Sequence, residues 1–441
     1  MPGSVAEITA EAAVLESHKK FLRSTSPFPR LLALNTAGIR QFEQLGFPHR
    51  KHEMFTFLST RELAATLFEY RTGNDDVSRD CVAGQVYKGC ENSCIVLVDG
   101  QYRPELSDTS GLPSAFGILS IEDAVAADSG IENYLKESIG GENDAFAAIN
   151  SAFFSQCPVI RIAADARCAV PLQVLHLSTG SAADPVMTAP RLLFHAAPGA
   201  EIKLIVKYAG LRDNYFVNSV QDFILERDAC VTFTQVQEDA GNARHFSKNR
   251  IVLRRDSRFM AANASSGSRL TRHHYDVHLN ESGAELRLNG LSVLRGEEQV
   301  HNYIKVVHAA PQCTSNQVFK NIVNDKSRSS VDGTVVVEKD SQLTVSDQLI
   351  NNLVLSDDAR ADSKPNLMIH ADDVKCTHGN TVGQVDEEQL FYLKTRGLPQ
   401  EAAQTLLTKS FAASLLQTIE FASVRNDLAN TLLKKLEANH A

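Results

Sequence analysis

Through the middle of the chain, apolar and polar residues form short runs with a two-residue period, as in Ile202-Lys203-Leu204-Ile205-Val206, Ile251-Val252-Leu253, Val277-His278-Leu279 and Val335-Val336-Val337. Such runs predict short β-strands. Between them a turn recurs: Gly, Asp or Pro, a small or polar residue, any residue, then usually an apolar one. It begins at Gly199, Asp228, Asp256, Gly283, Pro311 and Asp340, with steps of 29, 28, 27, 28 and 29 residues. Weaker copies begin at Asp165 and Asp358. A strand-and-turn repeat of this length, lacking a helix-length apolar period, predicts a solenoid whose coils bury their faces on one another. The predicted class is therefore mainly β: a parallel β-helix from about Cys157 to about Gly383, with stacked edges open for docking unless capped.

Both ends change period. From Asp386 the pattern is helical: Asp386 followed by Gln389 makes a capping start, and Gly397 with Pro399 stops one helix and begins the next. Leu406, Leu407, Phe411, Leu415, Leu416 and Ile419, then Leu428, Leu432 and Leu436, continue at three- and four-residue spacing, as amphipathic helices do. The first 70 residues are also helical in pattern, broken at Pro27-Phe28-Pro29 and Gly46-Phe47-Pro48. Residues 80–156 mix strand pieces such as Cys94–Val98 with helical ones. The expected organisation is a helical and mixed region over 1–156, the β-helix over 157–385 and a helical domain over 386–441.

Charge narrows the partners. With 44 Lys and Arg against 53 Asp and Glu, the net charge of −9 argues against nucleic acid and against an anionic membrane surface. No apolar stretch approaches the ~18 residues of a membrane span, and Met1–Lys20 lacks the apolar core of a secretory signal. Eight cysteines are too dilute for a disulfide framework. A cytoplasmic or similarly reducing location is expected.

Neither a phosphate-cradling P-loop nor a nucleophile elbow is present, so this chain is not expected to be an ATPase or a serine hydrolase. Cys90 and Cys94 form a C-x3-C with no second pair to complete a zinc site. On an extended strand His274, Asp276 and His278 share one face, a possible metal triad, yet neighbours on one face lie ~7 Å apart, too far to meet at one ion without a bend. A second cluster, His370 to Gly383, would put Asp372, Cys376 and His378 on one side if extended, with Lys375 placed to favour a thiolate at Cys376. Two ligands do not complete a site, so a partner would have to supply the rest.

The stretch Ala371-Asp372-Asp373-Val374-Lys375-Cys376-Thr377-His378-Gly379-Asn380-Thr381-Val382-Gly383-Gln384, with Leu390-Phe391-Tyr392-Leu393 and Arg396-Gly397-Leu398, closely resembles the C-terminal signature of the SufB/SufD family of iron-sulfur cluster assembly scaffolds. Asn316 to Lys320, Ser327-Arg328-Ser329-Ser330, Asp332-Gly333 and Ser363-Lys364-Pro365 are also similar to that family. Gly379 after the histidine, Thr381-Val382-Gly383, and Leu45-Gly46-Phe47-Pro48 with Glu53 resemble its SufD branch; Phe55 stands where that branch usually has Trp. The resemblance implies a right-handed β-helix between helical regions and a non-catalytic scaffold. It implies a SufB-like paralogue bound through the β-helix, a SufC-like ATPase bound through the C-terminal helices, and a possible homodimer. It further implies His378 as a ligand of a transient iron-sulfur cluster at the shared interface, Cys376 as its neighbour, and reduced flavin as an associated cofactor. An imidazole ligand must be deprotonated on its coordinating nitrogen, so assembly should weaken in acid. The alternatives are a β-helix carbohydrate-active enzyme, which needs clustered carboxylates along a groove, and a metal-free structural solenoid.

Overall fold

A computed structural model describes residues 9–437 except 50, 67, 72–76 and 183. Seven coils, from the strands Arg191–Ala196 and Glu201–Gly210 to Arg360–Ile369 and Lys375–Gly383, each give one strand to each of two sheets. Neighbouring coils pair in parallel and in register, over ten residues in the pair Arg328–Val337 with Arg360–Ile369. Residues of alternate parity point inward. Phe194 stacks on Phe223 at 4.8 Å, Phe223 meets Phe233 and Phe259 edge-on, and Val277, Ile304, Val306 and Val335 continue the core towards the C-terminal end.

The repeated turn has a backbone cause. Asp165, Gly199, Asp228, Asp256 and Gly283 all sit at a corner with left-handed φ between 55° and 77°. Glycine has no Cβ to clash there, and aspartate tolerates the conformation better than most residues. The corners stack: the N–H of Asp165 donates to Pro198 O, that of Gly199 to Arg227 O, Asp228 to Arg255 O and Asp256 to Ser282 O. The last two corners depart from the expected positions. Proline cannot adopt positive φ, so the left-handed residue is Gln312 rather than Pro311, and in the next coil it is Leu343 rather than Asp340.

At the N-terminal side, helices Ala10–Thr25 and Pro29–Leu45 form on either side of the Pro27-Phe28-Pro29 break, with Pro29 in the first turn, where its missing N–H costs nothing. Pro29–Leu45 crosses helix Ala145–Phe153 so closely that a Cβ on Gly38 would lie 2.5 Å from the Ser151 carbonyl carbon. Residues 80–156 contribute to the solenoid directly: Cys94–Val98 pairs in parallel with Leu172–Ser178, and Phe116–Leu119 antiparallel with Val159–Ile162.

At the other end Asp386 caps helix Glu387–Thr395, accepting from the N–H groups of Glu388 and Gln389 at 2.9 and 3.1 Å. Gly397 turns the chain at φ 91° into helix Gln400–Leu416. Leu415, Leu416 and Ile419 are buried with Leu291, Val293 and Ile322 of the second sheet, as are Leu428 and Leu432 of helix Ala422–Glu437. Much of the predicted apolar stripe is thus spent on the solenoid itself; the Leu436 side chain lies outside the described residues. No described helix is long and apolar enough to cross a membrane.

Candidate functional site at the open end of the solenoid

The final coil is an edge in both sheets. Arg360–Ile369 and Lys375–Gly383 each have a neighbouring strand on one side only, and among the described residues nothing pairs with their outer sides. The register sets His378 beside Gln348 and Cys376 beside Ser346. Gln348 and Ser346 point into the lumen: both are buried, Gln348 donates to Gln317 Oε1 at 3.4 Å, and Ser346 Oγ lies 2.9 Å from Ser315 Oγ. Parity therefore places His378 on the inward row of a coil that no further coil covers, where it is exposed. The same coil carries Met368, Ile369 and Val382 as exposed apolar residues, Val382 at 55%, and the helix that follows it, Glu387–Thr395, adds Phe391 at 68% and Tyr392 at 56%.

Cys376 shares the inward row with His378, as the alternation predicts, and packs against the main core. Burial pushes its thiol up, although the Ser346 backbone opposes the shift, so the expected thiolate is not favoured. Asp372 does not join the pair, because the strand begins only at Lys375. Among the described residues no three His, Cys, Asp or Glu side chains surround a common ion position.

The other candidates resolve differently. His274, Asp276 and His278 do share the outward face of their strand, but that face is used in hydrogen bonds and an ion pair with Lys248. His274 Nδ1 lies 2.9 Å from Asp144 Oδ2, and Asp276 lies between His278 at 3.2 Å and Lys248 at 3.6 Å. Burial, with Lys248 nearby, pushes His274 down to about 4, so it is neutral. Burial alone would raise the Asp144 carboxyl, but Arg272 at 2.6 Å and His274 hold it well below the usual range. Glu142 binds Lys248 at 2.6 Å and Arg250 at 2.5 Å, and Arg250 reaches Asp222, which also binds Arg191. These charges fasten residues 142–144 to the solenoid flank. Their partners lie about a hundred residues apart in sequence, so no local pattern could have revealed the network. Cys90 and Cys94 are buried in different apolar clusters, and burial pushes each thiol up to about 12.

Sequence comparisons agree with this architecture. The family described as SUF system FeS cluster assembly, SufBD core domain, matches residues 177–411, and the SufBD protein N-terminal region matches 13–174. The chain belongs to the SufBD family, whose members assemble iron-sulfur clusters. It is 32% identical over 398 residues to an iron-sulfur cluster assembly SufBD family protein of Synechocystis, spanning 87% of this chain and 86% of that one. It is 30% identical over 390 residues to the iron-sulfur cluster assembly protein SufD of Escherichia coli, spanning 86% and 87%. Protein ABCI7, chloroplastic, of Arabidopsis thaliana is 26% identical over 402 residues, 87% and 82% of the two chains. Within the family the chain is a SufD homologue.

Proposed function

We propose that this chain is the non-catalytic, SufD-type scaffold of a three-component assembly, that its open last coil docks a SufB-like paralogue, and that His378 donates an imidazole to the cluster built between them. The cluster is cargo rather than a resident cofactor. Neutral imidazole is a suitable ligand for iron, and His378 sits on an exposed lumen-facing row where a second solenoid would close over it. The carrying observation is the final coil: two edge strands of ten and nine residues beside exposed Met368, Ile369 and Val382. Natural proteins rarely leave such edges bare, and main-chain pairing with an added strand is a standard way to use them. A SufC-like ATPase would dock on the C-terminal helices, and the surface left for it is Phe391, Tyr392 and Leu406 rather than the buried Leu415 and Leu416.

The test is co-purification with the paralogue. Met368→Asp with Val382→Asp is expected to abolish the heterocomplex while the variant keeps the thermal midpoint of wild type, because both side chains are exposed. Undiminished complex formation would locate the partner elsewhere.

A further inference from the structure

A cleft of about 1470 Å³ opens between the segment around Phe47–Ala65 and the starts of the first-sheet strands. Its solenoid wall brings Lys326, Arg328 and Arg360 together although the chain as a whole carries a net charge of −9. Arg328 and Arg360 occupy paired positions in adjacent parallel strands, so their backbones lie about 5 Å apart and both side chains leave on the same face of the sheet. Lys326 stands two residues before Arg328, and all three line the cleft. Like charges directly opposite on a sheet destabilise it, which requires a reason for their presence.

Neutralisation within the chain is incomplete. Arg244 and Arg269, further along the wall, are both taken by Glu62, the latter through two contacts at 2.9 and 3.0 Å. Arg360 has Asp362 at 3.4 Å. Among the described residues neither Lys326 nor Arg328 forms an ion pair with a carboxylate. Six Lys and Arg line the cleft against four Asp and Glu, Glu297 and Glu298 among them, which leaves a net charge of about +2, matching a phosphoryl group, and planar guanidinium groups suit its oxygens in two-point contact. The facing wall is apolar at Phe47, Pro48 and Phe57. We infer that this cleft binds a phosphate-bearing small molecule, its anionic group held by Arg328, Arg360 and Lys326. The inference does not rest on the docking proposed for the last coil, although Arg360 begins that coil's first strand.

Titration calorimetry of the full chain with pyrophosphate at low ionic strength tests it. Saturable one-to-one binding is expected, weakened about tenfold or more in Arg328→Gln and in Arg360→Gln and unchanged in Lys339→Gln, an exposed residue outside the cleft. Arg328→Lys keeps the charge without the planar fork, so it should bind between wild type and Arg328→Gln, and thermal midpoints should show every variant folded. Phenyl phosphate, compared with inorganic phosphate, identifies the source: tighter binding of the ester assigns the apolar wall to a ligand body, and equal binding assigns the site to the free anion. Absence of saturable binding, or arginine variants that bind like wild type, would overturn the inference.

Discussion

Glu142→Gln removes one charge from the centre of the buried network that ties the N-terminal region to the solenoid. The Glu142 side chain is 1% exposed, and its two oxygens accept from Lys248 at 2.6 Å and Arg250 at 2.5 Å while Oε1 also takes the N–H groups of Asn143 and Asp144 at 2.9 Å. Glutamine fits the volume but turns an NH2 group towards a cation and leaves Lys248 under-compensated. Breaking a buried pair from one side costs about 3–5 kcal/mol. At ~2.1 cal/mol/K per residue, 441 residues give an unfolding entropy of ~0.9 kcal/mol/K, so the midpoint should fall by roughly 3–5 °C. Burial alone would raise the Glu142 carboxyl, but Lys248 and Arg250 outweigh it and hold the group below its ordinary value of 4.5. A depressed folded pKa means that this stabilisation is full above the unfolded pKa and is lost as pH falls through the folded one. Calorimetry should therefore show the gap between wild type and Glu142→Gln at pH 7 and a narrowing gap below about pH 4.5. A shift under about 1 °C at pH 7 would refute the assigned role of the network.

Three further outcomes follow from particular contacts. Gly38→Ala should destabilise by about 1–3 kcal/mol or more, because the new methyl meets helix backbone at Ser151 and Ala152 that cannot rotate away; denaturant titration reads this as a lower midpoint. Gly283→Ala should cost about 1–2 kcal/mol for its left-handed φ of 77°, whereas the neighbouring Ala284→Gly, outside the corner, tests loss of a buried methyl instead. Alkylation of Cys376 at pH 8 should be slower than that of an unperturbed thiol and should keep accelerating above pH 9, since burial raises its pKa; rapid labelling at pH 7 would restore the thiolate expectation.

The solenoid was legible because one backbone requirement recurs: a corner that needs left-handed φ selects Gly or Asp at Gly199, Asp228, Asp256 and Gly283. Where the requirement was met by Gln312 and Leu343 instead, the pattern pointed one and three residues off. Helix boundaries at Pro29, Asp386 and Gly397 were readable for the same reason, since each is a local constraint on φ or on an orphan N–H. What depends on distant pairing was not readable. Cys94–Val98 was visible as a strand, but its pairing with Leu172–Ser178 joins segments nearly eighty residues apart. At the site, alternation correctly put Cys376 and His378 on one row, yet it overextended the strand to Asp372 and gave no sign that burial would raise the Cys376 thiol. The apolar stripe of the C-terminal helices was also visible, but its division between solenoid packing and exposed surface appears only once sheet and helix are together.

The most direct measurement is iron and acid-labile sulfide per complex, after co-expression of this chain with the SufB-like and SufC-like partners proposed for it, for wild type and His378→Ala. His378 is exposed at the edge, so the substitution should leave the complex intact while cluster content collapses. An intact His378→Ala complex with undiminished iron and sulfide would contradict the ligand assignment and leave this chain a scaffold by shape alone.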